Sequence, residues 1–207
     1  MKKNKIYVLG SLNMDLVIST DVIPKQGETV SGKDFFINSG GKGANQAVQA
    51  AKLLENVIMI GAIGKDIYGA SLKETLTSYG VDTKKVKELD NTSSGVAVIT
   101  RYEADNRIII NAGANAYVSL DDVIKHLDGD EGDLLVVQFE IPFKTTEYAL
   151  KKAKKRGMIT ICNPAPYNDE VKKMFPYIDY LVVNQTEAEL MTGIYPNNDV
   201  DVKRVYE

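Results

Sequence analysis

Apolar, β-branched runs alternate along the chain with stretches of helical periodicity. The runs predict strands at 5–10 (KIYVLG), 57–62 (VIMIGA), 133–139 (DLLVVQF), 158–162 (MITIC) and 179–183 (DYLVV). The periodic stretches predict helices at 44–55, 67–79, 120–127, 143–156 and 185–191, with Gly80 and Gly157 where C-terminal caps belong. Strands apolar on both sides need cover on both faces, which predicts an α/β fold with a mostly parallel sheet between helices. Residues 15–38 and 95–111 break this rhythm. They read as alternating strands with turn chemistry at Pro24-Lys25-Gln26-Gly27 and Glu103-Ala104-Asp105-Asn106. Too closely spaced to join the helix-covered sheet, they predict a small, mostly antiparallel second sheet on one domain spanning 1–207.

Polar residues gather at the carboxyl ends of the main strands. Strand 5–10 runs into Gly10-Ser11-Leu12-Asn13-Met14-Asp15, and strand 57–62 into Gly64-Lys65-Asp66-Ile67-Tyr68-Gly69. The later three end at Gln138-Phe139-Glu140, at Asn163-Pro164-Ala165-Pro166 and at Asn184-Gln185-Thr186-Glu187. In open α/β sheets that edge is where ligands bind. Asp66 and Asp121 also read as helix N-terminal residues, which is reading enough for Asp121. Asn163 before proline also reads as a loop shaper, and Glu140, ahead of a proline-started helix, as a dipole partner. Asn13 and Asp15 stand at i and i+2 of an extended segment and so point the same way, as a pair of ligand groups.

The stretch Ser39-Gly40-Gly41-Lys42-Gly43-Ala44-Asn45-Gln46-Ala47 opens a helix with bare backbone. It is not a phosphate loop: Gly43 follows Lys42 where a Ser or Thr belongs, and the spacing is not G-x-G-x-x-G. Its backbone, Lys42 and Asn45 offer donors to a small ligand, while Asn13 and Asp15 offer acceptors. A phosphate needs donors only; a sugar needs both, so a polyol is expected.

Composition acts mainly by exclusion. A net charge of −3 leaves no electrostatic footprint for nucleic acid. The run Lys151-Lys152-Ala153-Lys154-Lys155-Arg156 falls late in a helix, where it suits the dipole and solvent. Nothing is long enough to span a bilayer, and the opening residues read as a strand and not a signal peptide, so a cytoplasmic protein without membrane partners is expected. Cys162 has no partner for a disulfide or zinc and is expected in the core. His126 is expected to face solvent. Asp128-Gly129-Asp130-Glu131-Gly132-Asp133 has the wrong glycine spacing for an EF-hand and reads as a solvated turn at the opposite edge.

In order along the chain stand Gly10 to Asp15, Pro24-Lys25-Gln26-Gly27-Glu28-Thr29, Gly40 to Ala47 and Gly64 to Gly69. Asn111-Ala112-Gly113-Ala114-Asn115, Asn163 to Pro166 and Asn184 to Glu189 follow. With these motifs the chain resembles the ribokinase and phosphofructokinase-B family of carbohydrate kinases, closest to its ribokinase branch. The resemblance implies a three-layer α/β/α fold whose second sheet, inserted at 15–38 and 95–111, is a lid over the sugar that also pairs two subunits as a homodimer. It implies ATP-dependent phosphorylation of a sugar hydroxyl, with ribose to ribose 5-phosphate the first choice, using ATP, Mg2+ and, as an optional activator in a longer parent, K+. Asn13, Asp15, Gly41, Lys42 and Asn45 would bind the sugar, Glu140 would close the pocket, and Ala97, Ile99 and Ile110 would line its apolar wall. Asn184 and Glu187 would order magnesium, through water, beside the ATP phosphates. Another sugar or a nucleoside as acceptor, or a short product that only binds a sugar or a partner subunit, stand as alternatives.

The resemblance reaches only the N-terminal two-thirds of the family pattern. Leu54 replaces a glycine common late in the first helix, which affects packing alone. The glycine-alanine-glycine-aspartate turn carrying the family's general base and anion hole has no counterpart, nor do the segments around adenine. The base is therefore expected beyond Glu207, the chain is expected to be a cut piece of a longer parent, and alone it should bind sugar weakly and turn over little.

Overall fold

The computed structural model describes residues 4–103 and 105–206. Met1, Lys2 and Lys3 of the basic opening, Ala104 of the predicted turn, and Glu207 lie outside the described residues. The chain runs through β1 (Ile6–Leu9), β2 (Asn13–Ser19), β3 (Lys33–Gly40), α1 (Lys42–Leu53), β4 (Val57–Gly64), α2 (Ile67–Ser78) and β5 (Asp82–Leu89). It continues with β6 (Gly95–Tyr102), β7 (Asp105–Asn111), α3 (Leu120–His126), β8 (Leu134–Val137) and α4 (Phe143–Lys155). Last come β9 (Ile159–Cys162), β10 (Tyr180–Leu181), α5 (Gln185–Thr192) and α6 (Asp199–Tyr206), with 3-10 segments at Gly113–Tyr117 and Asp169–Tyr177.

The main sheet has the order β10-β9-β8-β1-β4-β5, and every pairing in it is parallel. Strand alternation divides its side chains between two cores. Tyr7, Leu9, Ile60, Leu135, Val137 and Cys162 pack against α3 and α4. Ile6, Val8, Val57 and Met59 pack against α1 and α2. Burying one such aliphatic side chain contributes about 1.5–3 kcal/mol. This is the expected three-layer arrangement. Cys162 is fully buried, and burial pushes its thiol pKa up to about 12, so it is inert core. Gly80 and Gly157 adopt φ of 83° and 72°, ending α2 and α4 as their spacing predicts. No helix among the described residues is long and apolar enough to cross a membrane.

Strand β5 (DTKKVKEL) went unpredicted because its lysines hide an edge strand. Thr83 and Val86 are buried, while Lys85 and Lys87 reach over the end of the sheet to donate to the carbonyls of His126 and Tyr117. The acidic turn at 128–133 is also more than a solvated loop. Asp128 accepts from Tyr7 Oη and Lys85 Nζ, both at 2.7 Å, and the buried Asp133 accepts from the backbone N–H of Lys5 and Asp130. It latches the bottom of the sheet and lies, as expected, opposite the polar strand ends.

The second sheet has the order β3-β2-β6-β7, with β2 parallel to β6 and the other pairs antiparallel. It begins at Asn13 and returns at Gly40, two residues wider at each end than the 15–38 expected, and residues 20–32 are irregular. Among the described residues two apolar surfaces are left open. One is this sheet, where Phe35, Ile37, Val98 and Ile109 are all exposed. The other is the α1 side of the main sheet beyond β1, where Leu134, Val136 and Ile161 are half-buried and Ile159, Tyr180 and Val182 exposed.

Candidate functional site

Strand β1 delivers the chain to Gly10 at the carboxyl edge, and the glycine turn brings α1 back against it. Gly41 has φ of 91°, and a Cβ there would lie 2.7 Å from the Asn13 backbone nitrogen. A Cβ on Gly43 would lie 2.6 Å from the Ser11 nitrogen. The glycines therefore serve close approach of backbone to backbone.

The N–H groups that this helix start exposes are not left free. Lys42 N–H donates to Glu140 Oε2 at 3.0 Å, Gly43 N–H to Ser11 Oγ at 3.3 Å and Ala44 N–H to the Ser11 carbonyl at 2.9 Å. Ser11 Oγ–H in turn donates to Glu140 Oε2 at 2.5 Å. The Glu140 carboxylate thus occupies the anion position at the start of α1. The amides of Lys42, Gly43 and Ala44 are thus used by Ser11 and Glu140. Lys42 Nζ adds a side-chain donor there, 3.8 Å from Glu140 Oε1.

Asp15 faces this corner. A Cβ on Gly40 would fall 2.3 Å from Asp15 Oδ2, so the carboxylate lies over bare backbone. Among the described residues it has no hydrogen-bond or ion-pair partner; burial, and then the charge of Glu140, raise its pKa. A half-buried acceptor without a protein partner is a cost to the fold. Asn13, almost fully buried, shares its face of β2. The register extends that face across the sheet: Asp15 lies beside Ala97 and Asn38, Ala97 opposite Ile110, and Ile99 in the next row beside Val17. Asn13, Asp15, Gly41, Lys42 and Glu140 come together, with Ala97, Ile99 and Ile110 on the same side. Asn45, one turn into α1, is exposed and borders a groove with Asn38, the cross-strand neighbour of Asp15, and with Ser39 and Thr75. Its amide forms no side-chain hydrogen bond among the described residues.

A second polar group lies along the same edge. Asn184 and Glu187 form a reciprocal cap of α5: Glu187 N–H donates to Asn184 Oδ1 at 2.7 Å, and Asn184 N–H to Glu187 Oε2 at 3.0 Å. Asn163 is more than a loop shaper, since its Nδ2 donates to the Val182 carbonyl at 2.9 Å and approaches Glu187 Oε2 at 3.4 Å. These residues, Gln46 and Lys42 line an open cavity of about 540 Å3. Lys42 therefore borders both groups. Among the described residues no cluster of three or more His, Cys, Asp or Glu side chains is placed to hold a metal ion.

Asp66 caps α2 through Gly69 N–H at 2.7 Å and also accepts from Ser94 N–H and Oγ–H, both at 2.7 Å. Burial works against its charge, but these bonds outweigh it and lower the pKa. Ser94 immediately precedes β6, so Asp66 anchors the second sheet to the first. Asp66→Ala should cost about 1–3 kcal/mol, from the lost cap and the orphaned Ser94 N–H. Urea unfolding reads the cost, and a midpoint within error of wild type would contradict the anchor.

Ser11, Asn115 and Gln46 emerge only in three dimensions. Ser11 meets Glu140 across 129 positions and Asn115 meets Leu12 across 103, separations that carry no local pattern.

The family model described as pfkB family carbohydrate kinase matches residues 3–206. The deoxyribokinase of Salmonella typhimurium is 38% identical over 192 residues, covering 91% of this chain and 63% of that protein. The ribokinase of Haemophilus influenzae is 36% identical over 195 residues, covering 93% of this chain and 63% of its own length. The chain thus spans less than two-thirds of the length of these curated relatives. The solved structure of Arabidopsis thaliana ribokinase complexed with ribose and ATP superposes with a TM-score of 0.83 at 29% identity, over 99% of this chain and 68% of that one.

Proposed function

We propose, since the chain belongs to the pfkB family of carbohydrate kinases, that it supplies the sugar-binding half of an enzyme phosphorylating a sugar hydroxyl with ATP, ribose being the preferred acceptor. The observation carrying this reading is the partnerless Asp15 carboxylate beside Asn13, Lys42 and Glu140. Phosphoryl transfer asks the protein chiefly for positioning and electrostatics. In this reading Asp15 accepts from a sugar hydroxyl and Asn13, Lys42 and Asn45 donate to others. Gly41 leaves room for the ring, and Glu140, held by Ser11, closes the sheet side. Ala97, Ile99 and Ile110 exclude water from the opposite face.

Magnesium-bound ATP, when present, supplies the phosphoryl group and offsets its charge. The donor set suits an ion held through water: Glu187 Oε2 is already committed to Asn184 N–H, and Mg2+ commonly keeps several waters beside one or two carboxylates and substrate phosphates. Asn184 and Glu187 would orient those waters from the cavity that Lys42 shares. In this reading none of the described residues is the general base, so this chain alone should bind sugar and release little ADP. Pairing of the exposed second sheets would make a cytoplasmic homodimer and cover Phe35, Ile37 and Ile109.

The deoxyribokinase relatives favour 2-deoxyribose as a second reading. ADP release should be followed with ribose, 2-deoxyribose, fructose and adenosine, using the 207-residue chain and the longest product of its reading frame. Turnover restricted to the longer product and highest with ribose is expected. Robust turnover of fructose or adenosine with none of ribose would overturn the assignment.

A further inference from the structure

The peptide of Leu12 lies between β1 and β2, and both its polar groups are satisfied by one buried side chain. Leu12 N–H donates to Asn115 Oδ1 at 2.9 Å, and Asn115 Nδ2 donates to the Leu12 carbonyl at 3.0 Å. A backbone N–H can only donate and a carbonyl only accept, so these contacts leave the Asn115 amide a single orientation. Its nitrogen then also faces Asn13, at 2.8 Å, and the Asn13 atom meeting a donor must be its carbonyl oxygen, Oδ1. Gly95 makes the room: a Cβ there would lie 2.3 Å from Asn115 Nδ2 and 2.2 Å from Asn13 Oδ1. Asn115 is 1% exposed and Asn13 3%, so water does not compete for these bonds.

We infer that Asn115 is a positioning residue that sets the polarity of the cradle. By taking Asn13 Oδ1 it turns Asn13 Nδ2 toward the guest, and the face shared by Asn13 and Asp15 presents one donor beside one acceptor. A ligand with neighbouring hydroxyls, one accepting and one donating, fits that pair; one with two donors or two acceptors does not. Asn115 lies at the foot of β7, so the residue that orients the cradle is delivered by the second sheet. The inference rests on the sugar-binding reading of the cradle.

The test compares wild type, Asn13→Ala, Asn115→Asp and the double variant. In ligand-free, 15N-labelled protein the Asn115 side-chain NH2 protons should both exchange slowly. In Asn13→Ala one of the two should become fast while the other, held by Leu12, stays slow. This variant leaves Asn115 itself intact, and the result does not depend on sugar binding. No change in either proton would overturn the positioning. Ribose is then titrated by calorimetry. Asn115→Asp keeps an acceptor for Leu12 N–H but cannot donate to Asn13, whose amide must turn its oxygen outward. Ribose should bind about ten- to a hundredfold more weakly, as for Asn13→Ala, and the double variant should be no weaker than either. Losses that multiply in the double variant would overturn the inference, because a merely structural role for Asn115 acts independently of Asn13. If wild type binds no ribose, the sugar reading fails and the NH2 exchange still decides whether Asn115 orients Asn13.

Discussion

Asp15→Asn should weaken ribose binding by roughly one to two powers of ten, the loss expected for hydrogen bonds to a charged acceptor, while raising the stability of the free protein at neutral pH. The two effects have one cause. The carboxylate is half-buried, has no partner among the described residues and is repelled by Glu140, so its pKa is raised in the fold. A carboxylate with a raised folded pKa destabilises the native state at pH values above that pKa. The penalty disappears as pH falls through it toward the unfolded value of 3.8. The stability advantage of Asp15→Asn should therefore be present at pH 7 and shrink on acidification. Parallel calorimetric titrations and pH-dependent urea unfolding measure the two arms. A variant that binds ribose normally, or is less stable than wild type at pH 7, would mean that Asp15 is a structural residue.

Gly43→Ala should destabilise the fold by about 1–3 kcal/mol, lowering Tm by roughly 2–12 °C for a domain of this size. Helix propensity alone argues the opposite, since alanine is favoured over glycine in a helix by about 1 kcal/mol. Contact decides the sign. The added Cβ would lie 2.6 Å from Ser11 N, 2.7 Å from Gly10 C and 2.7 Å from Ser11 O, all backbone atoms that no rotamer change can move aside. Relief requires α1 to draw back from β1, which would also break Gly43 N–H to Ser11 Oγ and loosen the Ser11 hold on Glu140. Ribose binding should fall with stability. A Tm at or above wild type would show that the turn has slack.

Much of this was readable from the chain. The helices begin and end within a few residues of their predicted positions because glycines and capping residues mark their ends, as at Gly80 and at Asn184. The parallel sheet followed from strands apolar on both sides. Asn13 and Asp15 were placed on one face by strand period alone. Strand β5 was hidden because an edge strand carrying lysines lacks the apolar run of its neighbours. The glycine turn is legible as a close approach of backbone, but not the partners of its amides. What fills the start of α1 is a carboxylate 98 positions away, and such pairing has no signature in local spacing. The roles of Ser11 and Asn115 were invisible for the same reason, and Asn163 was legible only as a residue before proline.

The account stands on a hydroxyl-rich guest lying against Asn13, Asp15, Lys42 and Glu140. Ribose titrated into the 15N-labelled chain should shift amide and side-chain signals at Asn13, Asp15, Gly41, Lys42 and Glu140 together, with one saturation curve, and Asp15→Asn should move that curve to about ten- to a hundredfold higher ribose. Shifts confined to other surfaces, or none with ribose in large excess, would contradict it.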